Sequence, residues 1–278
     1  MTKTILVPTD FSESSWVAIQ YAARHAKAIH AHLKIIHIYQ SFYSAFAGEQ
    51  FNEEISAHTV DVANKQMSAL LSKLKSVQPS VAATGECIEG VLRITIEELL
   101  KKEKYDLIVM GTSGASGIKS IVGSNTLDII NISTVPVLAV PEEANKEEFN
   151  KVGLLTNFKE EEISILQKAT NILPPLSLIT LLHIRENHDE SEEVMLDKWK
   201  EIIEEKLPSI VIERKIGLGD NITSTIDTMI ESEKTDLLIV TNNERSFFKT
   251  LFSRNLVRSI ALSPQIPILF IKPDYESR

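Results

Sequence analysis

The chain has 278 residues, 43% hydrophobic and 24% charged, which is material for one large domain or two of ordinary size. A formal net charge of −9 argues against broad binding to nucleic acid or anionic membrane, because both need a basic surface. The single cysteine, Cys87, rules out an intrachain disulfide and a cysteine-based metal cluster. The opening Met1-Thr2-Lys3-Thr4-Ile5-Leu6-Val7-Pro8 is too short an apolar run for a secretory or membrane-spanning segment, so the expected compartment is the cytoplasm.

In chain order, short β-branched runs alternate with segments of helical period, the pattern of parallel strands joined by crossover helices. A strand over 4–8 leads into a helix that Ser12 caps, with Trp16, Ile19, Ala22 and Ala23 on one face through to about residue 30. A strand over 32–38 follows. Residues 40–60 carry Phe42, Tyr43, Phe46 and Phe51, a loop or helix extension expected to pack on its own domain, with an interface as the alternative. Next come a strand over 81–87 and a helix over 92–104. That helix turns Ile96, Leu99 and Leu100 inward and sets Lys101 and Lys102 at its negative end. Strands over 107–110 and 137–140 complete the first half. The strands are near-continuous apolar runs, as strands covered on both faces should be.

The second half repeats the first. Ile5-Leu6-Val7-Pro8-Thr9-Asp10-Phe11 is echoed by Val152-Gly153-Leu154-Leu155-Thr156-Asn157-Phe158, and Leu33-Lys34-Ile35-Ile36-His37-Ile38 by Ile179-Thr180-Leu181-Leu182-His183-Ile184. Tyr105-Asp106-Leu107-Ile108-Val109 returns as Thr235-Asp236-Leu237-Leu238-Ile239, and Val135-Pro136-Val137 as Ile266-Pro267-Ile268. Anchors that keep their order while the spacing drifts indicate duplication. The charged run from Glu142 to Glu148 is the natural linker. The expected units are residues 1–143 and 149–278.

The segment from Met110 to Thr126 carries the chemistry. Gly111, Gly114, Gly117 and Gly123 follow a buried strand, where glycines let backbone N–H groups approach phosphate oxygens and the next helix adds its positive end. Ser113, Ser116, Ser124 and Thr126 add hydroxyl donors. Turns and caps also use such residues. The aligned stretch from Val240 to Arg254 has no glycine, so the first-half glycines read as directed at a ligand. Asp10 ends Pro8-Thr9-Asp10 beyond the first strand. If the strands run 3-2-1-4-5, Asp10 lies beside Gly111 at the switch point where open α/β sheets bind ligands. An Asx turn at the helix entry is the equal alternative.

These residues resemble the universal stress protein family over nearly the whole chain. The likeness rests on Ile5-Leu6-Val7-Pro8-Thr9-Asp10, His37-Ile38, Asp106-Leu107-Ile108-Val109-Met110-Gly111 and Val135-Pro136-Val137-Leu138-Ala139-Val140. Gly111-Thr112-Ser113-Gly114 and Gly123-Ser124 match the family's nucleotide-binding motif, with 115–122 one residue shorter than the usual interval. The resemblance implies two tandem doubly wound α/β domains, each a five-stranded parallel sheet of order 3-2-1-4-5 with helices on both faces. It implies an adenine nucleotide, ATP, ADP or AMP, with Mg2+ as an optional companion, in the first domain. Pro8, Thr9 and Asp10 would lie at the ribose and adenine, Ile38 and Met110 against the base, and Gly111, Gly114, Gly123, Ser124 and Asn125 at the phosphates. The family's pairing through last strands would here join Leu138-Ala139-Val140 to Leu269-Phe270-Ile271 as an internal pseudo-dimer, with a homodimer also open.

No nucleophile, general base or metal-ligand set gathers near the glycines, and no catalytic residue is assigned. His37 and His183 sit at equivalent strand ends and read as structural. Glu160-Glu161-Glu162 and 201–206 read as solvated helix faces. The expected function is nucleotide-controlled regulation in the stress response through an unidentified protein partner. The alternative is a nucleotide-free interaction module.

Overall fold

The computed structural model describes residues 2–41, 46, 48–112, 124–144, 149–185, 190–219, 221–241 and 266–273. The first half runs β1 (Thr4–Pro8), α1 (Glu13–Ile29), β2 (His32–Tyr39), α2 (Glu49–Val77), β3 (Ala83–Glu89), α3 (Leu92–Lys102), β4 (Leu107–Gly111), α4 (Ser124–Ile132) and β5 (Val137–Val140). The second runs β6 (Val152–Leu155), α5 (Glu161–Ile172), β7 (Leu178–Arg185), α6 (Glu190–Lys206), β8 (Val211–Leu218), α7 (Ile222–Glu233), β9 (Leu237–Thr241) and β10 (Ile268–Ile271).

The strands form one sheet of order β3-β2-β1-β4-β5-β10-β9-β6-β7-β8. Each half is therefore a doubly wound array of the expected order. Pairing is parallel within each half and antiparallel only where β5 meets β10, with Leu138 opposite Leu269. The last-strand pairing that the family likeness implies is made inside this chain. Alternation of side chains across the sheet divides the core into two layers. Ile5, Val7, Ile35 and Val109 face α1 and α2, and continue into Leu154, Leu181 and Ile239 facing α5 and α6. Leu6, Ile36, Ile108 and Met110 face α3 and α4, and continue into Leu182, Leu238 and Val240 facing α7. Apolar side chains are needed on both faces, which is why the central strands read as unbroken apolar runs.

Local choices explain most boundaries. The Ser12 side chain accepts from Ser15 N at 3.2 Å to start α1, and His30 ends it in the left-handed conformation at φ 54°. The third strand begins later than expected because Val81 N turns back to Gln78 O at 3.2 Å. Helix α3 stops at Lys102 because Glu103 is extended, its carboxylate taken by Lys34 Nζ at 2.9 Å and Tyr105 OH at 2.8 Å.

The aromatic segment after β2 departs from expectation. Phe46 and Phe51 are exposed, and α2 instead packs through Ala63, Met67, Leu70 and Leu74, whose spacing forms the inward stripe. Phe42 and Tyr43 lie outside the described residues, as do 145–148 of the linker.

At the seam between the halves, His25 of α1 is buried, with Nε2 2.5 Å from Ile172 O at the end of α5. Beside it Lys3 Nζ donates to Asn171 O, and Lys272 Nζ, just beyond β10, donates to Asn131 O of α4. The halves are thus joined by helix contacts as well as by the β5–β10 ladder.

Candidate functional site

Strand β1 lies between β2 and β4, so successive crossovers leave it in opposite directions and open a crevice beyond the carboxyl ends of the strands. The elements that meet there carry the residues singled out by sequence. Pro8 closes β1, Ile38 lies near the end of β2, Met110 and Gly111 end β4, and Ser124 and Asn125 open α4. Ile38 and Met110 share the face that packs against α3 and α4. Asp10, Ser124 and Asn125 are exposed, and Thr9 is buried. Gly114, Gly123, Ser113 and Ser116 lie outside the described residues.

The Asp10 turn is a built structure. Ser12 N and Ser12 Oγ donate to Asp10 Oδ1 at 3.0 and 2.5 Å. The Asx turn is therefore real. Beneath it, the Thr9 and Ser15 hydroxyls are 2.9 Å apart, and Phe11 N donates to Thr9 Oγ1 at 3.0 Å. His37 Nδ1 donates to Thr9 O at 2.8 Å. Phe11 adopts φ 61°, and its ring centroid lies 4.3 Å from that of His37. A left-handed phenylalanine costs about 1–2 kcal/mol, and in that conformation its ring meets His37.

The duplicate keeps this frame. Phe158 has φ 58° and lies 4.5 Å from the His183 ring, and His183 Nδ1 donates to Thr156 O at 3.1 Å. The matched histidines hold the strand-end turn in both copies. One position changes the chemistry, because Glu162 stands where the first half has Ser15. Glu162 is only 3% exposed, which corrects the reading of Glu160-Glu161-Glu162 as a wholly solvated face. It accepts from Thr156 Oγ1 at 2.5 Å, Asn157 N at 2.8 Å and Trp199 Nε1 at 3.0 Å. Burial pushes its carboxyl above the usual range, and these hydrogen bonds oppose that rise. The Asn157 amide and the Thr156 hydroxyl are thus taken by a side chain.

One further contact and one correction concern the glycine segment. Gly111 was read as ligand-directed because its counterpart lacks glycine, yet a Cβ there would lie 2.7 Å from Ser14 Oγ and 3.0 Å from Ser14 O. Gly111 therefore has a packing cause of its own, the close approach of α1 to β4. Thr126, expected to offer its hydroxyl to phosphate, is buried and donates instead to Gly111 O at 2.9 Å. The sequence offers no role for Ser14 or Trp199, points the Thr126 hydroxyl at phosphate and reads Glu162 as solvated. Only the mismatch of Ser15 with Glu162 between otherwise matching copies could have signalled one of them.

Among the described residues no group of three or more His, Cys, Asp or Glu could hold a metal ion, and no helix is long and apolar enough to cross a membrane.

Comparison with known proteins adds an independent line. A model of the universal stress protein family matches residues 1–141. Universal stress protein A homolog 1 of Coxiella burnetii is 30% identical over 138 residues, covering 50% of this chain and 95% of that protein. A universal stress protein of Methanocaldococcus jannaschii is 33% identical over 142 residues, covering 50% of this chain and 81% of its own. The crystal structure of a universal stress protein from Archaeoglobus fulgidus superposes with a TM-score of 0.69 at 17% identity, covering 97% of this chain and 96% of that one. The sequence relatives each span half of the chain, whereas that structure shares the fold across nearly all of it.

Proposed function

The chain belongs to the universal stress protein family, and from this premise we propose that residues 1–143 bind an adenine nucleotide while residues 149–278 form a structural, non-binding domain. The observation that carries the proposal is the contrast at equivalent turns. Asp10, Ser124 and Asn125 are exposed around the first crevice, whereas buried Glu162 takes the Asn157 amide in the second.

In this reading Asp10 accepts hydrogen bonds from ribose hydroxyls, and Pro8, Thr9, Ile38 and Met110 border the base. The amides and side chains of Ser124 and Asn125, at the positive end of α4, hold phosphate oxygens, with Gly111, Gly114 and Gly123 giving backbone access. ATP, ADP and AMP share this chemistry, and Mg2+ would accompany the longer phosphate chains. Occupancy alters the surface at the strand ends and so signals to a protein partner in the stress response.

The test is to denature freshly purified protein, identify any nucleotide released, and titrate the protein with ATP by calorimetry. We expect one site per chain, with affinity lowered at least about tenfold by Asp10→Ala, the loss of about 1.4 kcal/mol, and unchanged by Asn157→Ala. Neither released nucleotide nor measurable binding would replace this reading with the nucleotide-free interaction module.

A further inference from the structure

Resting on the nucleotide reading, we infer that Thr126 is the positioning residue of the site, fixing the amino end of α4 over the crevice. Thr126 is the third residue of α4 and is 3% exposed. Its hydroxyl points down to the strand and donates to Gly111 O at 2.9 Å, linking residues 15 apart in sequence.

Gly111 is gripped from the other side as well. Ser14 in the first turn of α1 lies so close that no Cβ fits between them, and Ser14 Oγ is buried with no hydrogen-bond partner among the described residues. The contacts therefore run in series. Asp10 is tied to Ser12 at the start of α1, Ser14 of α1 abuts Gly111, and Gly111 O is held by Thr126 next to Asn125.

This series connects the ribose side of the crevice to the phosphate side through the first turn of α1 and the end of β4. A helix end binds an anion well only if its amides are already aimed, because ordering them on binding subtracts from affinity. The Thr126 bond supplies that aim before any ligand arrives. In the second half Thr241 takes the place of Gly111, and its Oγ1 is buried with no hydrogen-bond partner among the described residues.

The experiment compares wild type, Thr126→Val, Thr126→Ala and Thr126→Ser by calorimetric titration with ATP, and by amide hydrogen exchange of ligand-free protein at residues 124–127. The expected result is an ATP affinity about tenfold weaker for Val and Ala, restored by Ser, with faster exchange at the start of α4 in the weakened variants. Wild type that binds ATP with Val and Ala binding equally well would overturn the positioning role alone. Wild type that binds no adenine nucleotide would overturn the nucleotide reading. In that case unchanged exchange in Thr126→Val would overturn the tether too, and faster exchange would support it.

Discussion

Lowering the pH should weaken the fold through His25, at the seam between the two halves. The ring is 3% exposed, and its Nε2–H donates to Ile172 O at 2.5 Å while Nδ1 has no hydrogen-bond partner. A second proton would go onto Nδ1, creating a buried N–H⁺ with no acceptor. Burial, helped by the nearby Lys3 charge and opposed by the bond to Ile172, brings the ring from 6.5 to about 4. At about 1.4 kcal/mol for each pH unit of difference, this corresponds to a loss of roughly 3 kcal/mol.

The sign follows from proton counts. Above about pH 6.5 the ring is neutral in both folded and unfolded chains and contributes no pH dependence. Between about 6.5 and 4 the unfolded chain takes up a proton that the folded chain refuses, so stability falls as pH falls. Below about 4 the loss from this group is complete. His25→Gln retains a donor for Ile172 O and cannot titrate. Urea unfolding of both proteins from pH 7.5 to 4, followed through Trp16 in one half and Trp199 in the other, isolates the effect. The advantage of wild type over the variant should shrink, or reverse, by about 3 kcal/mol across the window. A difference independent of pH would refute the account.

Gly111→Ala should lower stability by about 1–3 kcal/mol without any nucleotide present, measured by thermal unfolding, because its Cβ would press on Ser14. Unchanged stability with altered ligand binding would return Gly111 to a purely ligand-directed role. Glu162→Gln should cost about 1–3 kcal/mol and change Trp199 fluorescence, since one amide oxygen cannot accept from all three donors. Because burial raises the acid of Glu162, the folded chain holds its proton more tightly than the unfolded chain. Its contribution to stability therefore declines as pH rises through its titration, and the Gln variant should lack that decline.

The architecture is legible in the linear pattern. Apolar strand runs, the Ser12 cap and the repeated order of anchors depend on local pattern and on burial of both sheet faces, and these leave their mark residue by residue. The sequence also located the strand ends that border the crevice, because Asp10, Ile38, Met110, Gly111 and Ser124 adjoin recognisable strands and a helix start. Only the tertiary structure decided what those residues touch. Whether Gly111 serves a ligand or a neighbouring helix depends on the distance from α1 to β4, and whether the Thr126 hydroxyl faces phosphate or Gly111 O depends on how α4 lies over the strand. Glu162 is one acid in a run of three, and nothing in its neighbours along the chain announces that Trp199, 37 positions away, will cover it. Contacts between distant segments are fixed by packing geometry, and a linear pattern carries the polarity of a side chain but not its partner.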